Sequence, residues 1–165
     1  MSRSASIWPA IASLITALVL EVLPLPDVMA LWRPPFLALT IIYWCMMWPN
    51  KIGIITAFLC GLTLDVLYGS LLGQNALSFS LISFLTFRFH LQIRIFPLLQ
   101  LTASIFALLA INAFVQFWID GIAGLAPVGF GRALPVITGT LIWPFAMSML
   151  DRIRYLADNR NTSLF

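Results

Sequence analysis

Six long apolar runs, separated by short segments of proline, glycine and charge, dominate this sequence. A transmembrane α-helix needs about 20 mainly apolar residues, so runs of this length indicate helices that cross a bilayer. The expected spans cover residues 7–23, 29–48, 52–68, 76–89, 97–119 and 133–150, followed by a polar tail at 151–165. The sequence therefore predicts an all-α integral membrane protein, a single domain built as a bundle of about six transmembrane helices.

The low charge content excludes an ordinary water-soluble domain. Hydrophobic residues make up 61% of the 165 positions and charged residues only 9%, whereas soluble domains carry about 25% charged residues. Small domains bury the smallest share of their surface, so a soluble fold of this size could not hide so much apolar area. We expect the lipid bilayer to surround the chain and no separate catalytic domain to fit between the spans.

The distribution of lysine and arginine predicts the orientation in the membrane. Short cytoplasmic loops carry an excess of these residues. With a cytoplasmic N-terminus, the inside segments hold seven of them, Arg3, Lys51, Arg88, Arg94, Arg152, Arg154 and Arg160, against two outside, Arg33 and Arg132. Both termini are therefore expected in the cytoplasm. The net charge of +3 follows from this bias, and no clustered basic surface indicates a nucleic-acid partner.

The N-terminus also has a competing interpretation as a signal peptide. A basic residue, Arg3, precedes an apolar stretch, and residues 28–30 (VMA) resemble a cleavage site with small residues. The segment is long for a signal peptide, and Glu21 lies late in its apolar part. A first membrane span is therefore the favoured interpretation.

Several polar residues fall inside the expected spans. An ionisable side chain within a membrane is costly and usually faces protein or water. Counted along each span, the polar side chains lie in the half of the bilayer that this topology places outside, and the inner half is nearly apolar. We call this set the outer polar layer: Glu21, Arg33, Asn112, Gln116, Thr138 and Thr140.

Three interpretations of the outer polar layer remain open. The side chains could hydrogen-bond between helices and hold the bundle together. They could line a binding surface or cavity open to the periplasm. A proton or ion relay is least favoured, because Glu21 and Asp65 are the only carboxylates in the layer region and no intramembrane histidine or lysine accompanies them.

The third span carries the densest local pattern. Gly61, Asp65 and Gly69 recur every four residues, so they share one helix face. Small residues at this spacing let another helix approach closely. Gly73 and Gly69 bracket a short link without charge. We hypothesise that Gly61, Asp65, Gly69 and Gly73 form a surface that contacts another helix or a partner.

The sequence offers no pattern typical of an active site or a metal site. Both cysteines, Cys45 and Cys60, lie inside apolar runs, where a small buried role is the usual one. The single histidine, His90, is separated from them, and no metal-ligand spacing is present. We therefore predict no catalytic residue, no metal and no cofactor.

Several short segments together resemble the MreD family of bacterial rod shape-determining membrane proteins, in its proteobacterial form. The segments are 23–27 (LPLPD), 31–34 (LWRP), 43–44 (YW), 48–49 (WP) with Lys51, the Gly61, Asp65, Gly69 and Gly73 series, and 143–144 (WP) with Arg152 and Arg154. The resemblance covers nearly the whole chain. Pro35 stands where the family pattern leads us to expect asparagine, and this affects only a local turn.

The resemblance implies a fold, partners and the absence of an activity. Family members have no known enzymatic activity and work in the cell-elongation machinery with MreC, the MreB filament system and the elongation peptidoglycan synthases. Their fold is similar to that of the substrate-binding subunits of energy-coupling-factor transporters. The expected function is a non-enzymatic inner-membrane component that binds partner membrane proteins and regulates cell shape and lateral peptidoglycan synthesis.

The alternative function is a small-solute binding or transport subunit of the membrane. The two functions differ in one structural feature. A solute-binding subunit needs a ligand-sized pocket that reaches the outer polar layer. A partner-binding bundle needs an exposed groove of small residues instead.

Overall fold

Every regular element in the described part of the chain is an α-helix. The computed structural model describes residues 7–24, 26–124 and 133–162. The helices are α1 (Trp8–Val22), α2 (Asp27–Ala30), α3 (Phe36–Met47), α4 (Ile54–Tyr68), α5 (Gln74–Ile95), α6 (Leu98–Ile122) and α7 (Ala133–Thr162). The predicted all-α fold class is confirmed. Arg3 and Arg132, used above for the orientation, lie outside the described residues.

The helices fall into a long and a short group. Three are long and apolar enough to cross a membrane, over Gln74–Ile95, Leu98–Ile122 and Ala133–Leu156. The other three main helices, α1, α3 and α4, have 12 to 15 residues. At 1.5 Å per residue they reach about 18–22 Å, less than the ~30 Å hydrocarbon core. Each expected span nevertheless overlaps one of these six helices.

The second expected span, residues 29–48, is not one continuous helix. It begins with the single turn of α2, breaks at Pro34 and Pro35, and continues as α3. Proline has no N–H to donate, and it disfavours helical geometry in the residue before it. The two adjacent prolines therefore interrupt helical geometry between α2 and α3, which begins directly after Pro35.

The fourth and sixth expected spans are shorter than the helices that contain them. Helix α5 continues six residues beyond residue 89, and α7 continues through most of the expected tail to Thr162. Neither proline nor glycine occurs between 145 and 162, so nothing in the backbone stops α7 where the apolar residues end.

Helix α3 lies at the centre of the bundle. All ten residues from Leu37 to Met46 are buried, and the helix packs against α1, α5 and α7. A helix buried on every side needs apolar residues all round. The apolar residues of α3 are accordingly spread around the helix and not gathered on one face. At its C-terminal end the Tyr43 hydroxyl donates to Asp151 Oδ1 at 2.6 Å, and Trp44 Nε1 donates to Ser13 Oγ at 2.7 Å.

Outward-facing side chains on the long and short helices are largely apolar. Ile55 on α4 is 79% exposed and Leu99 on α6 is 85% exposed. In water such residues would be costly to expose, but lipid tails are as apolar as leucine. The exterior of the bundle therefore suits a lipid environment.

Candidate functional site

The carboxylate of Asp65, near the end of α4, binds the start of α5. Asp65 Oδ2 accepts hydrogen bonds from the backbone N–H of Gly73 at 2.9 Å and of Ala76 at 3.3 Å. Asp65 Oδ1 accepts from the backbone N–H of Asn75 and from its side-chain Nδ2, each at 2.9 Å. The Ser70 hydroxyl donates to the same oxygen at 2.9 Å. The first N–H groups of a helix lack partners within the helix, and a negative charge there is favourable.

Gly61, one turn before Asp65, lies where α4 and α5 come closest. A Cβ atom at Gly61 would stand 2.5 Å from the backbone Cα of Ala76 and 2.6 Å from its N. No side chain fits at that distance, so glycine is required by the close approach of the two backbones. Gly61 and Asp65 thus meet α5 of the same chain.

The other two glycines of the series belong to the turn between α4 and α5. Gly69 ends α4 with φ 61°, and Gly73 precedes α5 with φ 102°. Glycine adopts these left-handed conformations at little steric cost. A Cβ on either residue would meet nothing within 4 Å, so neither glycine is held by a close contact.

Glu21 and Arg33 join the C-terminal end of α1 to the N-terminal end of α3. Arg33 Nη1 donates to the carbonyl oxygen of Glu21, and Arg33 Nη2 donates to that of Leu23. Glu21 Oε2 accepts from the backbone N–H of Leu37 at 3.2 Å. A cation beside the last carbonyls of one helix and an anion beside the first N–H groups of another both follow the helix dipole. The Tyr68 hydroxyl also donates to the Glu21 carbonyl oxygen.

A cavity of about 210 Å³ lies among the ends of α1, α4, α5, α6 and α7, and we call it the polar cavity. Its polar lining residues are Glu21, Arg33, Tyr68, Asn75, Asn112 and Gln116. Within the lining, Gln116 Nε2 donates to Asn75 Oδ1 at 2.8 Å. Because Asn75 also binds Asp65, one hydrogen-bonded chain connects the α4–α5 junction to the cavity wall.

Two buried polar atoms on residues that line the polar cavity have no hydrogen-bond partner among the described residues. They are Asn112 Oδ1 and Arg33 Nε. The Asn112 side chain belongs to a residue only 7% exposed. A buried polar atom without a partner costs about 1–3 kcal/mol, so each such atom needs an explanation.

The structure brings four of the six outer-polar-layer residues to this cavity and leaves two elsewhere. Thr138 and Thr140 do not belong to its lining. The Thr138 hydroxyl donates to the carbonyl oxygens of Leu134 and Pro135, and the Thr140 hydroxyl donates to that of Val136. Both threonines therefore bond within their own helix, a usual arrangement for threonine in a helix interior.

A wider opening of about 480 Å³, which we call the outer cleft, adjoins the polar cavity. The two share Tyr68, Asn75 and Gln116 in their linings. Gln74 and Asp120 also line the outer cleft, where Gln74 Nε2 donates to Asp120 Oδ1 at 2.8 Å. The outer cleft and the polar cavity therefore meet at these three shared side chains.

Sequence reasoning missed four of the polar residues at this end of the bundle: Tyr68, Gln74, Asn75 and Asp120. The sequence held a partial signal for Gln74 and Asn75, because two adjacent amides open an otherwise apolar run. Asp120 lies one residue beyond the expected span 97–119, but α6 continues two residues past it.

The residue types that usually carry chemistry are dispersed in the described part of the chain. No group of three histidine, cysteine or acidic side chains there could hold a metal ion. Cys45 is buried with its Sγ 3.1 Å from Ser83 Oγ, and His90 Nδ1 lies 2.6 Å from the carbonyl oxygen of Phe87.

Comparisons with known proteins place the chain among shape-determining membrane proteins. The family model described as rod shape-determining protein MreD matches residues 2–152. A protein of Haemophilus influenzae named rod shape-determining protein MreD is 29% identical over 140 residues, which cover 85% of this chain and 86% of the relative. No solved structure matches.

Proposed function

This chain belongs to the MreD family of rod shape-determining membrane proteins, and we propose that it is a non-enzymatic component of the cell-elongation complex in the bacterial inner membrane. Membership gives it a role in cell shape. In the proposed role it binds partner membrane proteins, MreC directly and through it the MreB filament system and the elongation peptidoglycan synthases. By this binding it regulates lateral wall synthesis.

One observation carries the non-enzymatic part of the proposal: two acids of the bundle, Asp65 and Glu21, hold helix ends. Asp65 accepts five hydrogen bonds at the start of α5. Glu21 accepts from the first turn of α3. A catalytic acid or base needs a proton within reach of a substrate, and these carboxylates are already committed to the backbone.

The burial of Gly61 and Asp65 limits which residues of the glycine series a partner helix could contact. Gly61 and Asp65 are buried against α5, so a partner helix has no access to them. Gly69 is exposed. We therefore propose that partner proteins bind the outer surface of the bundle and not the face formed by Gly61 and Asp65.

Transport of a solute is the alternative function, and the polar cavity does not favour it. Pockets that bind drug-sized ligands measure about 300–1,000 Å³. At about 210 Å³, the polar cavity is smaller than that range, whereas the adjoining outer cleft, at about 480 Å³, falls within it. The polar cavity alone is therefore too small for a vitamin-sized cargo.

Shape complementation tests the non-enzymatic role. In a cell that lacks its own copy, the wild-type chain should restore rod shape. The Cys45→Ala and His90→Ala variants should do the same, because neither side chain is expected to take part in chemistry. If either variant, at normal protein level, left the cells round, the non-enzymatic proposal would be wrong.

Co-purification tests the partner. The tagged chain, coexpressed with the MreC of the same organism and extracted in mild detergent, should retain MreC at a fixed ratio. An unrelated six-span membrane protein carrying the same tag provides the control. Equal recovery of MreC on both proteins would contradict direct binding.

A further inference from the structure

The perimeter of the bundle has a short side and a long side. Helix α4 packs against α1 and α5, α6 packs against α5 and α7, and α7 packs against α1, so these five helices form a ring with α3 at its centre. The neighbours α1 and α4 have 15 residues each. We call the exposed side chains of α1 and α4 the short face, and those of α5, α6 and α7 the long face.

The two faces differ in height by more than two helical turns. At 1.5 Å per residue, α1 and α4 rise about 22 Å, whereas α5 and α6, with 22 and 25 residues, rise about 33 and 38 Å. The hydrocarbon core of a bilayer is about 30 Å thick. A long helix fits this core by tilting, but tilting a short helix lowers its height further. A core of one thickness therefore cannot match both faces.

The chain folds back at both ends of α4, so the adjoining links add little to its height. At the C-terminal end, the backbone N–H of Gly73 donates to Asp65 Oδ2 at 2.9 Å, and Asp65 lies in the last turn of the helix. At the N-terminal end, the backbone N–H groups of Lys51 and Ile52 both donate to the carbonyl oxygen of Trp48 at 3.0 Å. Both links are therefore turns close to the helix ends.

Side chains that prefer the membrane–water interface mark the same two heights. Tyr68, the last residue of α4, is 47% exposed and lies about 21 Å along the helix from Ile54, its first residue. The exposed Lys51 stands just before Ile54. On α6, Trp118 is 63% exposed and lies about 30 Å from Leu98, the first residue. Because tyrosine and tryptophan gather at the interface, the interface is expected closer to the bilayer centre beside α4 than beside α6.

We propose that the short face binds lipid in a locally thinned bilayer, whose hydrocarbon core beside α1 and α4 is about 8 Å thinner than the ~30 Å core beside the long face. Exposed apolar side chains such as Ile15, Ile55 and Val66 suit lipid tails. Without thinning, the charge of Lys51 and the backbone of the links would enter the hydrocarbon, which is costly. This interaction with lipid goes beyond the proposed role in cell elongation and does not depend on it.

Spin labels on the full chain in dioleoylphosphatidylcholine vesicles measure the core thickness at each face. Replacement of Cys45 and Cys60 by alanine removes the native thiols, and single new cysteines then carry the label. Collision rates with oxygen and with a nickel chelate give the depth of each label. The thickness at a face is the rise between its two labels plus their two depths. The labelled positions are exposed residues near the helix ends: Ile55→Cys and Val66→Cys on α4, and Leu99→Cys and Phe117→Cys on α6.

The two faces should give different thicknesses. Ile55 and Val66 are separated by a rise of about 16 Å, so a core of about 22 Å predicts depths that add up to about 6 Å. An unthinned core of about 30 Å would give a sum of about 14 Å instead. For Leu99 and Phe117, with a rise of about 27 Å, the expected sum is about 3 Å.

Two outcomes of the labelling overturn the proposal. One is a sum near 14 Å for the pair on α4. The other is a low oxygen collision rate at both labels on α4 with dipolar coupling between copies, because a second copy of the chain would then cover the short face. Short segments also relieve a mismatch by associating in this way.

Thermal unfolding of the wild-type chain in vesicles of different thickness tests the proposal without any substitution. The unfolding temperature should fall in thick dierucoylphosphatidylcholine relative to the dioleoyl lipid, because α1 and α4 cannot lengthen. It should change less in thin dimyristoleoylphosphatidylcholine, because the long helices can tilt. A larger fall in the thin lipid than in the thick one would contradict a lipid-facing short side.

Discussion

At the scale of single residues, Asp65 has the most hydrogen bonds to lose. Its carboxylate accepts from three backbone N–H groups, one amide and one hydroxyl, in a residue that is 1% exposed. Asp65→Ala leaves these buried donors unpaired, and each unpaired group costs about 1–3 kcal/mol. Asp65→Asn retains one oxygen and replaces the other with a donor, so it should destabilise less than alanine.

Thermal unfolding in detergent checks this order. Ser70→Ala removes only one of the five donors and should lower the unfolding temperature least. The expected order of unfolding temperatures is wild type, Ser70→Ala, Asp65→Asn and Asp65→Ala, from highest to lowest. An Asp65→Ala protein as stable as Ser70→Ala would show that the cap contributes little.

Gly61 gives a second prediction at this scale, based on space. A methyl group there would stand 2.5 Å from the backbone of Ala76, and overpacking of this kind costs about 1–3 kcal/mol. Gly61→Ala should therefore lower the unfolding temperature. Gly121→Ala is a matched control, because Gly121 lies in α6 and its added methyl would meet nothing within 4 Å. Equal effects of the two substitutions would rule out the steric explanation.

Residue spacing predicted part of this site. It placed Gly61 and Asp65 on one face of a helix, where they do lie, but it could not name the backbone they contact. Gly69 has the same spacing and a different role, because its left-handed φ of 61° ends the helix. Spacing describes a continuous helix, and it cannot show where that helix stops.

At the scale of elements, α3 differs from the helices around it. Its residues from Leu37 to Met46 are buried on all sides, so a cavity made there has no lipid to fill it. Ile42→Ala should destabilise by about 2–5 kcal/mol, the usual cost of an isoleucine truncation in a packed core. Ile55→Ala on α4, where the side chain is 79% exposed, should cost less than about 0.5 kcal/mol.

Chemical denaturation of both variants in the same detergent measures the difference. The wild-type chain provides the baseline, and the same slope with denaturant would show that both variants unfold from a similar native state. A large loss in Ile55→Ala with little change in Ile42→Ala would contradict the central position of α3.

Helix boundaries were predictable where backbone chemistry and hydropathy agree. Both signals mark the start of α6, because Pro97 comes directly before the helix and the apolar run of residues 97–119 begins at the same place. They disagree in the second expected span, where apolar residues continue past Pro34 and Pro35 but the helix does not. They disagree in the opposite sense after residue 150, where polar residues begin but α7 continues. Hydropathy reports the surroundings of a segment, and helix ends depend on proline, glycine and caps.

At the scale of the whole molecule, the orientation in the membrane is a prediction from charge. Both termini are proposed to be cytoplasmic, on the excess of lysine and arginine in the segments assigned to that side. A periplasm-active reporter fused after Phe165 should be silent, and one inserted between Gly121 and Gly131 should be active. The reverse pattern would place the polar cavity on the cytoplasmic side.

The position of the polar cavity itself shows what topology alone could supply. Glu21, Asn112 and Gln116 all line the polar cavity, and counting along antiparallel spans assigns the three residues to one depth. Counting residues along a span gives the depth of Thr138 in the bilayer but not the side of the helix on which it lies, so the count could not show that Thr138 is outside the cavity. Direction depends on how each helix is rotated, which packing decides.

The central position of α3 also bears on the order in which the chain is made. The ribosome makes α1 and α3 first, while two of the helices that cover α3, namely α5 and α7, come later in the chain, and α7 is the last helix. Until α7 emerges, α3 lacks part of its covering, and the Tyr43 hydroxyl lacks its acceptor on Asp151. The bundle can close around α3 only after synthesis is nearly complete, so a truncated chain would expose its most hydrophobic helix to the insertion and quality-control machinery.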